Sequence, residues 1–221
     1  MKFLIIVIDG PSGAGKGMVA RAMASTLGYW HVDSGAIYRA MAWKALRENV
    51  PLDDEEAVAR IADRSRIEIT DERVTVDDEV VTREIRTPAI DRAAASVARL
   101  PRVRAILVAR QRAFGAGGGI VMEGRDIGTV VFPQADVKIY LDASAQERAR
   151  RRASDPAHTG VPAAVSEVAT LLTERDRLDS TRLTSPLYVA PDAVVVDTTG
   201  KSVEEVVAEV MNVIENLKPE V

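Results

Sequence analysis

FLIIVIDGPSGAGKG, residues 3–17, joins an apolar run to a glycine-rich turn that ends in a lysine and a glycine. A turn that wraps a phosphate brings several backbone N–H groups together, so it needs residues without a Cβ atom and a helix directly behind it. The four glycines meet this need, and the ammonium of Lys16 supplies a mobile charge for the terminal phosphates of a nucleotide. The stretch therefore predicts a phosphate-binding loop between a buried strand and a helix.

The spacing from Gly10 to Gly15 and Lys16 fits the P-loop pattern except at Gly17, where Ser or Thr is usual. The alternative is an ordinary glycine-rich turn with a solvated lysine. The apolar strand before the turn and the helical pattern after it favour the phosphate site. We expect the nucleotide to contact Gly10, Pro11, Ser12, Gly13, Ala14, Gly15, Lys16, Gly17 and Met18.

Composition excludes several classes of site. The 221 residues are 47% hydrophobic, enough for a sizeable core in one large or two small domains. Cysteine is absent and there are two histidines, so disulfides, thiolate or histidine metal sites and a Ser-His-Asp triad are not expected. The first apolar run stops at Asp9, too short for a signal peptide or a membrane span. We expect a soluble, cytoplasmic protein with no metal site built from side chains alone.

Charge argues against a protein that coats nucleic acid, because the net charge is −4 and a phosphate backbone favours a basic surface. Arginine nevertheless outnumbers lysine by 23 to 6, and several arginines lie beside loops. Arginine binds planar oxyanions through two parallel hydrogen bonds. The arginines therefore become candidates for small anionic ligands.

Periodicity predicts an α/β protein. Alternating strands and helices imply a parallel sheet flanked by helices, whereas three short strands at 66–70, 73–77 and 80–81 do not fit a parallel core. Strands are expected at 3–8, 29–32, 120–122, 137–141 and 193–196. Helices are expected at 16–27, 36–49, 101–114, 145–153, 165–177 and 203–217. Two more are expected, a short helix that ends near residue 64 and a helix that starts at 88. Residues 154–162 are expected to form a hinge or the tip of a lid.

Two further motifs follow predicted strands. DSGAIYR at 33–39 follows the second strand and EGRD at 123–126 follows the third. The carboxyl ends of parallel strands meet at one edge of the sheet, where ligands of such folds bind. Two structural alternatives remain: Asp33 and Ser34 suit a helix cap, and Arg125 with Asp126 suits a surface ion pair.

Two arginine-rich stretches also allow both a structural and a functional interpretation. The cluster at 148–152 and the run ERDRLDSTR at 174–182 suit solvated helix surfaces with pairs such as Arg175 and Asp179. Beside a P-loop, however, arginines on a closing lid would meet the negative charge of a phosphoryl-transfer transition state.

IDGPSGAGKG, DSGAIYR, EIRTP, PRVR, EGRDIGTVVFP and ERDRLDSTR together resemble the successive signatures of the bacterial cytidylate kinases, over nearly the whole chain. The resemblance implies a P-loop nucleoside monophosphate kinase that transfers the γ-phosphoryl group of ATP to CMP or dCMP with Mg²⁺. It also implies a P-loop core at 1–35 and 101–221 with a lid around 145–165. Residues 36–100 are expected to form an inserted monophosphate-binding module of helices and a small antiparallel sheet.

The resemblance assigns roles residue by residue. Lys16, Arg125, Arg148 and Arg152 are the expected catalytic residues. The expected substrate-binding residues are Ser34, Arg39, Ser96, Arg104, Arg125, Asp126, Arg175, Asp179 and Arg182. One position departs from the family, since relatives commonly carry Thr or Ser where Met18 stands, and a methionine cannot hold a phosphate or a magnesium-bound water.

Other functions stay open at this point. A related P-loop kinase could act on UMP or on a non-nucleotide acceptor, and a nucleotide-dependent switch could hydrolyse ATP slowly. Nucleic-acid binding through the arginine cluster is disfavoured by the acidic balance and by the lack of stacking aromatic residues nearby. We expect CMP or dCMP and ATP as partners of a monomer, without nucleic acid or membrane.

Overall fold

The computed structural model describes residues 3–70, 73–155, 164–182 and 184–217. Its strands in this part of the chain are β1 (Ile5–Asp9), β2 (Trp30–Asp33), β3 (Ile67–Ile69), β4 (Val74–Val76), β5 (Glu79–Val80), β6 (Ile120–Gly124), β7 (Val137–Asp142) and β8 (Val194–Asp197). Its helices are α1 (Lys16–Leu27), α2 (Ser34–Arg47), α3 (Glu55–Arg64), α4 (Pro88–Val97), α5 (Pro101–Phe114), α6 (Ala145–Ala153), α7 (Val165–Ser180) and α8 (Val203–Leu217).

Five of the strands form the predicted parallel sheet, in the order β2-β6-β1-β7-β8. β1 is central, and its side chains alternate between two apolar layers. Ile6 and Ile8 pack with α1 and α8, whereas Val7 packs on the opposite face with Met122 and Ile127. The carboxyl ends of β1, β2 and β6 therefore lie side by side at one edge.

The three short strands form a separate antiparallel sheet in the order β3-β4-β5, as the alternating pattern predicts. This sheet shares an apolar core with α2, α3, α4 and α5, including Met41, Ile61 and Leu107. Asp77 and Asp78 both have positive φ, as a tight hairpin turn between β4 and β5 requires. The alternating pattern also predicts a turn at Asp71 and Glu72, which lies outside the described residues.

Helix caps explain where several helices begin. Asp33 accepts a hydrogen bond from the N–H of Ala36 at 3.0 Å, so α2 begins two residues earlier than predicted. Ser202 and Glu205 stand at the spacing that predicts a capping box for α8, and the box is confirmed because each accepts the backbone N–H of the other. Gly28 follows the predicted end of α1 as a typical C-cap, and it ends that helix in the left-handed conformation.

Two further features differ from the prediction. Residues Ile127–Val131 form a single π-helical turn that periodicity does not indicate, and α7 continues to Ser180 instead of ending at Arg177. Of the predicted lid tip at 154–162, residues 156–163 lie outside the described residues. Across the residues that are described, no helix combines the length and apolar character that a membrane span requires.

Candidate active site

The turn between β1 and α1 presents its backbone to the edge of the sheet. Gly13 and Gly15 have φ of 82° and 89°, values that a residue without a Cβ atom adopts at low cost. Gly15 is the N-cap residue of α1, and no side chain in the described part of the chain caps that end of the helix. The first N–H groups of α1 are therefore available to an anion, which the positive end of the helix dipole also attracts.

Lys16 follows this turn and is buried, with its Nζ donating to the carbonyl of Pro11 at 2.7 Å. Burial and the nearby cation Arg125 together lower the pKa of Lys16 to about 7, against the opposing effect of Glu123 and other carboxylates. A lysine whose charge is disfavoured in the empty site gains stabilisation from a bound polyphosphate.

Gly17, where the loop departs from the usual P-loop pattern, lies against the side chain of Glu123. A Cβ atom at this position would lie 2.9 Å from Oε1 of Glu123, closer than such a contact allows. The Glu123 carboxylate at the end of β6 thus stands against the first turn of α1. The side chain of Met18 is 56% exposed beside it.

A cavity of about 700 Å³ opens at this edge and brings most of the predicted residues together. The predicted phosphate-binding residues that line the cavity are Ser12, Gly13, Gly15, Lys16, Gly17 and Met18. The predicted substrate-binding and lid residues that line it are Ser34, Arg39, Arg104, Arg125, Asp126, Arg152, Arg175, Asp179 and Arg182. Of the predicted site residues, those that do not line this cavity are Gly10, Pro11, Ala14, Ser96 and Arg148.

Ser96 differs most from the prediction. Its side chain is exposed and lines a neighbouring cavity between α4 and α7, whereas Ala94 lines the main cavity. Two residues along a helix are separated by about 200° around its axis, so the two side chains point to opposite sides.

Arg39 lies on α2, six residues after the cap residue Asp33. Its Nη2 donates to Oδ2 of Asp33 at 2.6 Å, while its buried Nε has no hydrogen-bond partner among the described residues. Burial alone would raise the pKa of Asp33, but Arg39, Arg86 and His31 outweigh it and hold the pKa at about 2. Asp33 therefore both caps the helix and orients a cavity arginine that keeps a free donor.

Arg104 and Asp126 form a buried ion pair on the opposite wall, between α5 and the loop after β6. The Arg104 guanidinium lies over the ring of Tyr38, 5.6 Å from its centroid. Such a pair offers both hydrogen-bond donors and an acceptor to a flat polar ligand.

The carboxylate of Asp179 on α7 lies within 4.0 Å of three arginine side chains. Its Oδ2 accepts from Nε of Arg125 at 2.9 Å and lies 3.4 Å from Nε of Arg175, and its Oδ1 lies 4.0 Å from Arg182. Burial lowers the pKa of Arg182, and its Nε and Nη2 have no hydrogen-bond partner in the described part of the chain. The predicted Arg175–Asp179 contact is thus present, but Asp179 is buried in the cavity wall and does not lie on a solvated face.

The arginine side chains of α6 have different partners and point in different directions. Nη1 of Arg148 donates to the carbonyl of Ser12 at 3.1 Å and to Asp176 at 2.5 Å, so this side chain lies behind the phosphate-binding loop. Arg152 pairs instead with Asp91 on α4 and lines the cavity. Arg151 donates to both side chain and backbone of Thr198.

The cavity concentrates positive charge in a protein of negative net charge. Among the described residues, eleven lysine and arginine side chains line it against five aspartate and glutamate side chains. An excess of cations in a cleft attracts anionic ligands and raises their rate of association.

Sequence reasoning missed several lining residues. Arg86 stands in the quoted motif EIRTP and Tyr38 in DSGAIYR, so the motifs contained them without a role. His31 lines the cavity from within β2, with its Nε2 3.4 Å from Glu123. A lone histidine in an apolar strand gives no pattern that would reveal this position.

Comparison with known proteins accords with this geometry. Residues 6–216 match the family model described as cytidylate kinase. A cytidylate kinase of Pelotomaculum thermopropionicum is 48% identical over 207 residues, covering 91% of this chain and 92% of the relative. A cytidylate kinase of Caldanaerobacter subterraneus is 46% identical over 217 residues, covering 98% and 97%.

Among solved structures, a gluconokinase from Sinorhizobium meliloti superposes with a TM-score of 0.50 at 17% identity, covering 98% of this chain and 97% of that one. This likeness concerns the fold alone. The match to the family model and the two close relatives cover almost the whole chain. This chain belongs to the cytidylate kinase family.

Proposed function

We propose that this protein transfers the γ-phosphoryl group of ATP to CMP or dCMP, giving ADP and CDP or dCDP. The observation that carries the proposal is that one cavity holds two separate groups of cations and N–H donors, each suited to an anion. The first is the turn with Lys16 at the start of α1, and the second is the arginine cluster around Arg39 and Arg125. A kinase needs both sites, whereas a slow hydrolytic switch needs only the first.

The reaction requires little covalent chemistry from the protein. An oxygen of the CMP phosphate forms a bond to the γ-phosphorus while the bond from that phosphorus to the β–γ bridging oxygen breaks, and ADP leaves with the electron pair. The chain's task is to align the two phosphates and to meet their charge. Lys16 and the N–H groups of α1 suit the donor, and Arg39 with Arg125 suits the acceptor.

The remaining polar groups suit the acceptor nucleoside. The buried pair Arg104–Asp126 and the unpartnered nitrogens of Arg182 can hydrogen-bond to the edge of a cytosine. Arg175 and Asp179, which pair on α7, are assigned to the sugar in this proposal. Arg152 belongs to the lid in this proposal, and Arg148 supports the phosphate-binding loop from behind through Ser12.

Mg²⁺ fits this site as a partner of ATP. No group of three or more histidine, cysteine, aspartate or glutamate side chains suited to a metal occurs among the described residues. Mg²⁺ usually takes one or two carboxylates with phosphates and water, and the Glu123 carboxylate against Gly17 suits that arrangement. When bound, the ion would neutralise charge on the phosphates.

We further propose that the protein acts in the cytoplasm as a monomer. The absence of cysteine suits a reducing compartment, and both anion sites are built from one chain. Sedimentation velocity at micromolar concentration tests the oligomeric state.

The main test measures ADP release from ATP and magnesium in a coupled assay, with CMP, dCMP, UMP, AMP or no acceptor. We expect rapid release with CMP or dCMP and little without an acceptor. Equal release with and without CMP would contradict the kinase proposal. Faster release with UMP than with CMP would move the proposal to a related acceptor.

ATP binding should take up a proton above neutral pH, because the Lys16 pKa of about 7 in the empty site rises when triphosphate charges surround it. At about pH 8 most empty protein carries a neutral Lys16, so binding adds close to one proton and ATP affinity falls as pH rises. Calorimetry in buffers of different ionisation enthalpy measures this uptake. Heats that do not depend on the buffer at that pH would refute it.

Met18→Thr should raise turnover, since a hydroxyl in the first turn of α1 can hold a phosphate or a magnesium-bound water. One such hydrogen bond corresponds to a gain of roughly two- to tenfold. The Met18 side chain is mostly exposed, so the fold should tolerate the change. Met18→Val is the matched control, as valine has the shape of threonine without the hydroxyl. Steady-state rates that stay flat or fall across a magnesium titration would contradict the expectation.

A further inference from the structure

We propose that Asp9 is a positioning residue for the acceptor nucleotide: its carboxylate fixes the backbone of the loop that carries Arg125 and Asp126. Asp9 is the last residue of β1, directly before the phosphate-binding turn. The inference rests on the proposed function, because it concerns how the CMP site is held in place.

Both oxygens of the Asp9 carboxylate are used. Oδ1 accepts from the N–H of Ile127 at 2.9 Å, and Oδ2 accepts from the N–H of Gly128 at 2.7 Å. The side chain is 5% exposed, so these are buried bonds to a charged group, which are stronger than bonds between neutral groups. Asp9 thus binds the two residues that immediately follow Asp126, 118 and 119 positions along the chain.

These two N–H groups belong to the start of the π-helical turn. Asp126 occupies the N-cap position of that turn but makes no side-chain capping hydrogen bond, because its carboxylate pairs with Arg104. Asp9 therefore supplies the cap from a neighbouring strand, and this leaves Asp126 free to serve the cavity.

The two hydrogen bonds from the loop to Asp9 fix the direction of the Arg125 and Asp126 side chains. Arg125 points toward Asp179 on α7, whereas Asp126 points toward Arg104 on α5. Adjacent residues reach partners on different elements only while the backbone between them holds one conformation. A shift of the loop would misplace both groups, and misplacement of about 1 Å can cost 100-fold in rate.

The packing around Gly128 shows how close the approach is. A Cβ atom at Gly128 would lie 3.3 Å from Oδ2 of Asp9 and 3.2 Å from Cγ2 of Val7. Gly128→Ala should therefore push the loop away from Asp9 without altering the carboxylate. This variant disturbs the hydrogen bond between Asp9 and Gly128 by changing the loop and not the carboxylate.

Asp136 offers a matched control. Its Oδ2 accepts from the N–H of Ile5 at 2.8 Å, so it also ties β1 to a distant segment, but at the amino end of the strand. Asp136 does not line the cavity among the described residues. Asp136→Asn tests what the loss of a β1 tether does when the acceptor site is not involved.

The experiment measures the affinities of CMP and ATP separately by calorimetry for the wild type, Asp9→Asn, Gly128→Ala and Asp136→Asn, with thermal unfolding of each. Asparagine keeps the size of the side chain but offers one acceptor and opposes the second N–H with its own amide. We expect CMP to bind about tenfold more weakly to Asp9→Asn and Gly128→Ala, with ATP affinity within threefold of wild type. Asp136→Asn should lower only the unfolding temperature.

Other outcomes overturn the proposal. Unchanged CMP affinity with a lower unfolding temperature would make Asp9 a structural brace, and equal weakening of CMP and ATP would indicate a distorted phosphate-binding turn. If Asp9→Asn does not fold, Gly128→Ala decides by the same criteria, and failure of both to fold would assign Asp9 to the core. A wild-type protein that binds no CMP would instead refute the proposed function.

Discussion

Lys16→Met should lower kcat by about 10³-fold, because it removes a mobile cation that the P-loop pattern assigns to the donor phosphates. Its Nζ is buried beside the turn and donates to the carbonyl of Pro11, so the side chain lies next to the proposed donor site. Methionine keeps the length and the apolar stem of the side chain. Initial rates of ADP release at saturating ATP and CMP, with CMP affinity measured separately, would show the loss in kcat.

Lys138 is an unusually close control for this substitution. It is also buried, and its Nζ also donates to the carbonyl of a proline five residues earlier, Pro133, at 2.7 Å. Its other partner is Asp192, and it does not line the cavity in the described structure. Lys138→Met should therefore reduce stability and leave kcat near wild type. Equal losses of kcat in both variants would mean that the effect of Lys16 comes from folding.

The parts of this molecule that the sequence predicts well are those with local causes. The helices α1, α5, α6 and α8 have the predicted ends, because glycine, proline and capping residues mark them within a few positions. The parallel sheet and the small antiparallel sheet follow from strand periodicity and from the alternation of strands with helices.

The parts that sequence reasoning missed depend on residues far apart in the chain. The π-helical turn is capped by Asp9, more than a hundred residues earlier, and no local pattern records that contact. The pairing of Arg152 with Asp91 joins α6 to α4 across 61 residues. Motifs predicted which residues meet at the cavity, but the partner of each arginine is set by the packing of whole elements.

Ser96 shows that a motif predicts a helix more closely than it predicts the direction of one side chain on it. Its helix is predicted correctly and lies beside the cavity, yet the side chain points to the other side of α4. A shift of one or two positions in a helical motif changes the face by about 100° to 200°. Ala94 faces the main cavity instead. Arg39, Arg125 and Arg152 line both cavities, so Ser96 stays a predicted ligand contact in the adjoining one.

Arg39→Ala should raise the KM for CMP about 100-fold, since charge-assisted hydrogen bonds contribute about 1.5–3 kcal/mol each. Asp33 occupies Nη2 of Arg39 and so fixes the guanidinium, while Nε remains without a partner in the described residues and can bind phosphate. ATP affinity should change little, because Arg39 lies on α2 and not in the phosphate-binding turn. Arg39→Lys should retain part of the affinity, as it keeps the charge but loses the paired donors.

Arg47 provides the control on the same helix. It pairs with Glu79 and lies over the ring of Trp43, and it lines neither cavity in the described part of the chain. Arg47→Ala should leave the KM for CMP unchanged, so a rise there would point to a general disturbance of α2. If Arg39→Ala weakens ATP and CMP equally, Arg39 belongs to the donor site and the division of the cavity into two anion sites is wrong. Weakening of CMP alone would fix α2 as the wall that holds the acceptor phosphate.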